Sequence, residues 1–396
     1  MTSVPQALSA ILSHARPTET VRLPLARALG RILRTAARAD RDSPPFDASA
    51  MDGYALRRAE AGRPLRVVGT SQAGRAFDGA VPAGACVRIL TGAPVPAGAD
   101  CVVKQEDVAR TGDNVRITNI GGGPDHIRRR GENRRAGDLV VPAGARLGPP
   151  ELAALASAGI ARPEVAAAPR CAHLVTGDEL VPPGQSPARA QIRDSNSTLI
   201  AALLSGHGAE TVAQAHATDD LTAARAAVAA MPAHDILLIS GGAGAGDLDL
   251  ARPLLDNLGY QLHFEKVDLR PGRPLVFASR GHDLAFVLPG NPVSHWVVFQ
   301  LFLAPLLEFL QTGVAPVPVR LAGRLAREGS LPQPDGRPTY WPSRVTVVEG
   351  GHVVQPLALA SSGDSSGLVG ANALLPVPAT ADRLEPGQPV EFIPCS

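Results

Sequence analysis

The segment DILLISGGAGAGDLD (235–249) opens on an apolar run and closes on a glycine-rich turn. The run reads as a β-strand, Asp235–Ser240, and the glycines as a loop whose backbone N–H groups can approach an anion closely. Two further segments repeat that arrangement. CAHLVTGDEL (171–180) gives a strand, Ala172–Thr176, followed by the loop Thr176–Leu180. LAFVLPGNPVS (284–294) gives a strand, Leu284–Leu288, then a loop and a long helix from Val293. Asn291 is placed to cap that helix, and Pro292 stands in its first turn. Helices are expected over Thr198–Gly206, stopped by His207-Gly208, and over Leu221–Met231, capped by Asp219. Strands alternating with helices build a parallel sheet, and ligands of such sheets bind outside the carboxyl ends of the strands. All three loops belong to that edge. A helix N-terminus adds about half a positive charge, so the edge is equipped for a phosphate.

Outward from this domain the pattern changes. Residues 3–15 read as a helix with Val4, Leu8, Ile11 and Leu12 on one face, and 18–39 as a second amphipathic stretch through Val21, Leu25, Leu29, Ile32 and Leu33. Short alternating runs between 62 and 145 read as a small antiparallel β domain, with a hairpin turn at Thr111–Asn114. Glu151–Ile160 reads as a helix, and 318–396 as the short strands of a small β barrel. The chain has 396 residues, enough for two to four domains of roughly 150 residues. Its 38 Lys+Arg balance 37 Asp+Glu, a net charge of +1, which argues against a general nucleic-acid binder. Cys86, Cys101, Cys171 and Cys395 have neither CxxC spacing nor a His cluster beside them, so a disulfide framework or cysteine zinc site is not expected. The N-terminus lacks the basic and apolar regions of a signal peptide. Val297–Leu310, broken by Gln300, Pro305 and Glu308, reads as a buried helix too short to span a bilayer. The expectation is a soluble cytoplasmic protein without membrane contact.

Residue chemistry points to the same edge. Asp178, Glu179, Asp247 and Asp249 gather in its loops, and oxygen ligands of this kind suit Mg²⁺ completed by substrate phosphates. Asp219 and Asp220 follow another strand; Asp219 is read either as a helix cap or as part of that acidic set. RPGRP (270–274) sets two arginines around a Pro-Gly turn, and guanidinium forks bind phosphate or carboxylate. Only Lys104 and Lys266 are lysine, and Lys266 is expected to share a strand face with Asp268. His14, His173, His207, His216 and His295 show no ligand spacing and read as surface, core or cap residues. Trp296, Phe299, Phe302 and Phe309 read as a core helix face.

FDASAMDGYAL (46–56), RILTGAPVPAGAD (88–100), IRRRGEN (127–133), VTGDEL (175–180), SGGAGAGDLD (240–249), RPGRP (270–274) and LPGNPVS (288–294), in this order, resemble the molybdopterin molybdenumtransferase family, which includes the gephyrin E domain. The resemblance runs over nearly the whole chain. It implies a multidomain α/β plus β protein. A three-layer α/β molybdopterin-binding domain with a parallel-rich sheet would span 1–18 and 169–317, and an elongated helical linker part 19–44 and 131–168. An inserted β domain would span 45–130, and a C-terminal β barrel 318–396. It implies an obligate homodimer and a reaction in which adenylylated molybdopterin and molybdate yield the molybdenum cofactor and AMP with a divalent cation, Mg²⁺. Transient contacts with a molybdopterin adenylyltransferase and with molybdoenzymes are also implied.

Carried over position by position, the resemblance gives catalytic roles to Asp52, Thr91, Glu179, Asp219, Asp249 and Lys266, with Glu179 and Asp249 as metal ligands. Substrate contacts fall on Thr176, Gly177, Asp178, Ser240, Gly241, Gly242, Gly244, Gly246, Arg270, Arg273, Pro289, Gly290, Asn291, Pro292 and Ser362. Asp52 and Thr91 would come from the neighbouring subunit. The chain departs from the family pattern at Asn133, where an aspartate is usual, at Arg270 and Arg273, usually lysines, and at Asp364, usually apolar. Asn133 keeps hydrogen bonding but loses charge, which raises an alternative: a non-catalytic protein that binds molybdopterin or scaffolds a partner. A tungsten-inserting enzyme is a third reading, since tungstate and molybdate share size and charge.

Overall fold

The computed structural model describes residues 1–120, 124–241, 248–327, 336–381 and 383–395, and at 248 and 249 the backbone alone. The chain divides into two compact units. One comprises Met1–Val21, Gly30–Ile32 and Val165–Ser396, the other Arg22–Leu29 and Leu33–Glu164.

In the first unit a mixed sheet runs in the order Glu210–Ala217, Arg170–Thr176, Ile236–Ser240, Asp283–Leu288, Val276–Arg280, Gln261–Phe264. The first four strands are parallel. The last two are antiparallel to their neighbours, because a tight turn at Gly281-His282 joins Val276–Arg280 to Asp283–Leu288 as a hairpin. The sequence pattern foresees the parallel strands and misses this hairpin. Period-two side chains go to opposite faces. Leu238 and Phe286 join helices Val4–His14, Asn196–Gly206 and Pro292–Thr312 on one side. Leu237, Ile239 and Val287 join Leu221–Ala229 and Leu248–Asn257 on the other. Both faces are covered, which explains the near-continuous apolar runs of the central strands.

The segment Pro292–Thr312 is longer than its sequence suggests. It is helical throughout, with a π-helical stretch at Phe299–Leu303 that carries it past Pro305. By length and composition it could cross a membrane, yet 78% of its apolar window is buried, so it is a core helix. A closed barrel follows, in the order Leu321–Leu325, Gly351–Pro356, Thr339–Val348, Ala373–Val377, Pro389–Pro394. Leu325, Val354, Leu375 and Phe392 fill it.

The second unit contains a sheet ordered Cys101–Lys104, Gly53–Leu56, Ala85–Ile89, Leu65–Ser71, Asn114–Ile117, Val108–Thr111. The hairpin at Thr111–Asn114 forms, with Gly112 at a φ of 60°. The expectation of a wholly antiparallel sheet fails at one pair. Leu65–Ser71 lies parallel to Ala85–Ile89, joined by a connection long enough to cross over. The amphipathic stretch 18–39 does not form one helix. Pro24 and Gly30 interrupt it, leaving a short 3₁₀ turn at Leu25–Arg27 and a brief strand at Ala37–Arg38. Among the described residues of this unit the α-helix is Pro149–Ser157, whose first-turn Glu151 carboxylate accepts the Gly148 N–H at 2.9 Å.

Gly53 shows how closely this sheet is packed. A Cβ there would stand 1.9 Å from the Val103 carbonyl oxygen, so the neighbouring strand leaves no room for a side chain. Gly53→Ala is expected to destabilise the protein by more than about 2 kcal/mol, the scale of overpacking against backbone. Thermal melting would show this as a lower Tm; an unchanged Tm would contradict the packing described.

Candidate functional site

Register decides where the three loops of the α/β sheet leave it. Val175 lies opposite Ser240, and Ser240 opposite Leu288, so the strands end within one residue of each other. Gly177 follows at a φ of 149°, and a Cβ on it would stand 2.7 Å from Glu179 Oε2. The Glu179 carboxylate therefore curls back over the strand end, with its residue exposed. Gly241, at a φ of 97°, brings its backbone against Thr176; a Cβ would meet the Thr176 carbonyl oxygen at 2.3 Å. Thr176 Oγ1 is buried there without a hydrogen-bond partner. Gly242, Gly244 and Gly246 lie outside the described residues, as does the side chain of Asp249, which stands in the first turn of Leu248–Asn257.

Asp178 Oδ1 accepts the Asp219 N–H at 3.3 Å, so both exposed carboxylates belong to this edge. Asp219 does not cap the following helix. Asp220 does, accepting the Ala223 N–H at 2.8 Å, because it stands immediately before the first helical residue. In the third loop, Asn196 Nδ2 donates to the Gly290 carbonyl at 2.7 Å, while Asn196 Oδ1 is buried without a partner. Asn291 is the N-cap residue by backbone position, with Pro292 next. Its side chain does not cap the helix but donates to Ser362 Oγ at 2.8 Å. The Val293 N–H donates to the Ser362 carbonyl at 3.1 Å.

Beside this helix start is a cavity of about 390 Å³. It is bordered by Arg270 to Pro274, Ser294, Arg337, Trp341, Ser361 and Ser362. Lys266 and Asp268 do not share a strand face. Their strand ends at Phe264; beyond it Lys266 is exposed, while Val267 and Leu269 are buried as the chain continues into Arg270. Asp364 winds the serine-rich segment into place. Its carboxylate accepts Ser366 Oγ at 2.6 Å, the Gly367 N–H at 3.0 Å and the Ala360 N–H at 3.3 Å. Those bonds, the Ser366 hydroxyl first, hold its carboxyl below the usual range.

The second unit carries its own pair. Asp52 Oδ1 accepts both the Thr91 hydroxyl and the Thr91 N–H at 2.7 Å, and these bonds lower its pKa. Asn133 Oδ1 accepts Arg128 Nη2 at 2.8 Å, while Glu132 Oε1 accepts Arg128 Nε at 2.6 Å. The amide thus holds the guanidinium that a carboxylate could have held. Arg129 pairs with Asp47 and Asp125, and Arg130 with Asp42, so the basic run is neutralised within its own unit.

Residues 2–159 match the family model described as the MoeA N-terminal region (domain I and II), 172–308 the probable molybdopterin binding domain, and 324–395 the MoeA C-terminal region (domain IV). The chain is 35% identical to a molybdopterin molybdenumtransferase of Synechococcus elongatus over 389 residues, 95% of this chain and 94% of that one. It is 35% identical to one from Haemophilus influenzae over 316 residues, 78% of each. This chain belongs to the molybdopterin molybdenumtransferase family. The fold agrees: a crystal structure of the molybdopterin biosynthesis MoeA protein from Pyrococcus horikosii superposes with a TM-score of 0.84 at 28% identity, covering 100% of this chain and 99% of that one.

For this molybdenumtransferase family member, the structure brings Thr176, Gly177, Asp178, Glu179, Asp219, Ser240, Gly241, Pro289, Gly290, Asn291 and Pro292 to one edge, and Arg270, Arg273 and Ser362 to the cavity. Asp52 and Thr91 meet each other in the second unit. Ser240 differs from its neighbours. Its hydroxyl is fully buried and points inward, at 2.6 Å from His173 Nε2 and 2.9 Å from His295 Nε2. These histidines have no ligand spacing in the sequence, and no short-range signal links them. Desolvation pushes His173 down to about 4 and His295 to about 3, in the latter case reinforced by His173. Among the described residues, no group of three or more His, Cys, Asp or Glu is placed to hold a metal.

Both histidines are neutral in the native state, whereas unfolded histidine titrates near 6.5. Below that pH the unfolded chain binds more protons than the folded one. Stability is therefore expected to fall as pH drops through about 6.5, by up to ~1.4 kcal/mol per pH unit for each histidine. Melting between pH 7 and pH 5 checks this. His295→Gln should flatten the slope, and an unaltered slope would contradict it.

Proposed function

We propose that this chain is a molybdenum insertase. It transfers molybdenum from molybdate into adenylylated molybdopterin and releases AMP. The observation that carries the reading is the arginine-bordered cavity beside the start of helix Pro292–Thr312, on the edge where the glycine loops leave the sheet. An oxyanion needs fixed cations and N–H donors. Arg270, Arg273 and Arg337 supply guanidinium forks, and Ser294 and Ser362 supply hydroxyls. The phosphates of adenylylated molybdopterin belong on the adjoining loops at Gly177, Gly241 and Gly290, where backbone can approach closely. The active unit we propose is a homodimer in which Asp52 and Thr91 serve the partner's edge, working in the cytoplasm. The domain limits are those given by the resemblance.

Mg²⁺ fits the donors present. The exposed Glu179 carboxylate and the unpartnered Thr176 hydroxyl offer only oxygen, and such an ion takes one or two carboxylates with phosphates and water. Glu179 would hold it, with Asp249 as the second ligand that the resemblance assigns. When bound, the ion neutralises charge on the phosphates. Arg270 and Arg273 orient the oxyanion, Lys266 adds a mobile ammonium at the same edge, and Asp364 keeps Ser361 and Ser362 in place. Asn133 binds Arg128 and so leaves the local structure of its loop intact, which favours the enzyme over the non-catalytic reading.

Purified protein given Mg²⁺, molybdate and adenylylated molybdopterin should release AMP in a molybdate-dependent way. Glu179→Ala should lower that rate at least ~100-fold. Arg273→Ala should raise the molybdate concentration for half-maximal rate about 10-fold, one charge-assisted bond's worth. Tight ligand binding with no release from well-folded protein would overturn the reading.

A further inference from the structure

Four side chains from four elements form one chain beneath the loop edge, with His173, Ser240 and His295 fully buried and Gln214 at its exposed end. Gln214 Nε2 donates to the Ser197 carbonyl at 2.8 Å and stands 3.3 Å from His173 Nδ1. His173 Nε2 is 2.6 Å from Ser240 Oγ, and Ser240 Oγ is 2.9 Å from His295 Nε2. The protons on this chain can be assigned. A carbonyl only accepts, so the Ser197 contact identifies the amide nitrogen of Gln214 as the atom facing His173. His173 Nδ1 is then an acceptor, and a neutral imidazole with an accepting Nδ1 carries its proton on Nε2. His173 therefore donates to Ser240. The Ser240 hydroxyl has one proton left to give, and it goes to His295 Nε2. His295 is thereby the Nδ1–H tautomer, its Nδ1 buried without a hydrogen-bond partner.

We propose that Ser240 is a positioning residue of the substrate edge, its single hydroxyl fixing the exits of three ligand-facing loops relative to one another. Ser240 is the last strand residue before the glycine loop. His295 lies in the first turn after LPGNP, and His173 is in the strand that leads into TGDEL. Sliding any of these elements by one position leaves a buried donor or acceptor unpaired, which costs far more than a neutral repacking. The inference rests on the reading above of this edge as the site for adenylylated molybdopterin.

Its test has two independent arms. In ¹⁵N-histidine-labelled wild type at pH 6, His173 should be the Nε2–H tautomer and His295 the Nδ1–H tautomer, both neutral. The reverse tautomers, or a charged ring, would overturn the proposal whether or not the enzyme turns over. By calorimetry, Ser240→Ala should weaken binding of adenylylated molybdopterin about 10-fold, the effect of one unpaired buried group. His295→Gln keeps an acceptor for the Ser240 hydroxyl and should bind within about 3-fold of wild type; His295→Leu, of similar size without the acceptor, should match Ser240→Ala. Equal binding by the Gln and Leu variants would show packing alone and sink the proposal. A wild type that binds as expected but releases no AMP would refute the insertase reading and leave the positioning role standing.

Discussion

Parallel register across three strands, with Val175 opposite Ser240 and Ser240 opposite Leu288, constrains everything that the first unit presents to a ligand. Parallel strands separated by helices must all point the same way, so their following loops collect at one edge. Because the strands end level, those loops meet backbone to backbone. Gly241 against the Thr176 carbonyl shows how close the approach is. A shift of one residue would turn Leu237 and Leu238 to the wrong faces, so the two apolar layers hold the register that the loops require.

The chemistry of the edge follows from local concentration rather than overall charge. The protein as a whole is nearly neutral, at +1. Many of its arginines are engaged by carboxylates, as Arg128, Arg129 and Arg130 are in the second unit. Arg270 and Arg273 border a cavity beside the serine-rich segment, where Asp364 turns its oxygens onto its own loop. The carboxylate thereby shapes the serine segment while its charge is absorbed by that segment's own donors.

Much of this was legible in the sequence. The strand-loop pairs at 171–180, 235–249 and 284–294, the hairpin at Thr111–Asn114 and the barrel-like C-terminus all have short-range signals, and the ordered motifs pointed to the family. What was missed depends on contacts between distant residues. Ala373–Val377 is fully paired inside the barrel and carries no alternating pattern. Leu65–Ser71 pairs parallel through a crossover that turn residues do not announce. Asp219 and Asp220 differ by one position, a finer distinction than capping preference can make. The His173–Ser240–His295 chain exists only because two strands and a helix converge, so neither histidine signals it alone.

The central claim is that the cavity bordered by Arg270, Arg273 and Ser362 receives molybdate. Crystals soaked in molybdate and measured at the molybdenum absorption edge test this most directly. The account predicts an anomalous peak in that cavity, within hydrogen-bond reach of an Arg270 or Arg273 guanidinium. An empty cavity at saturating molybdate, or a peak only at some other place on the protein, would contradict it.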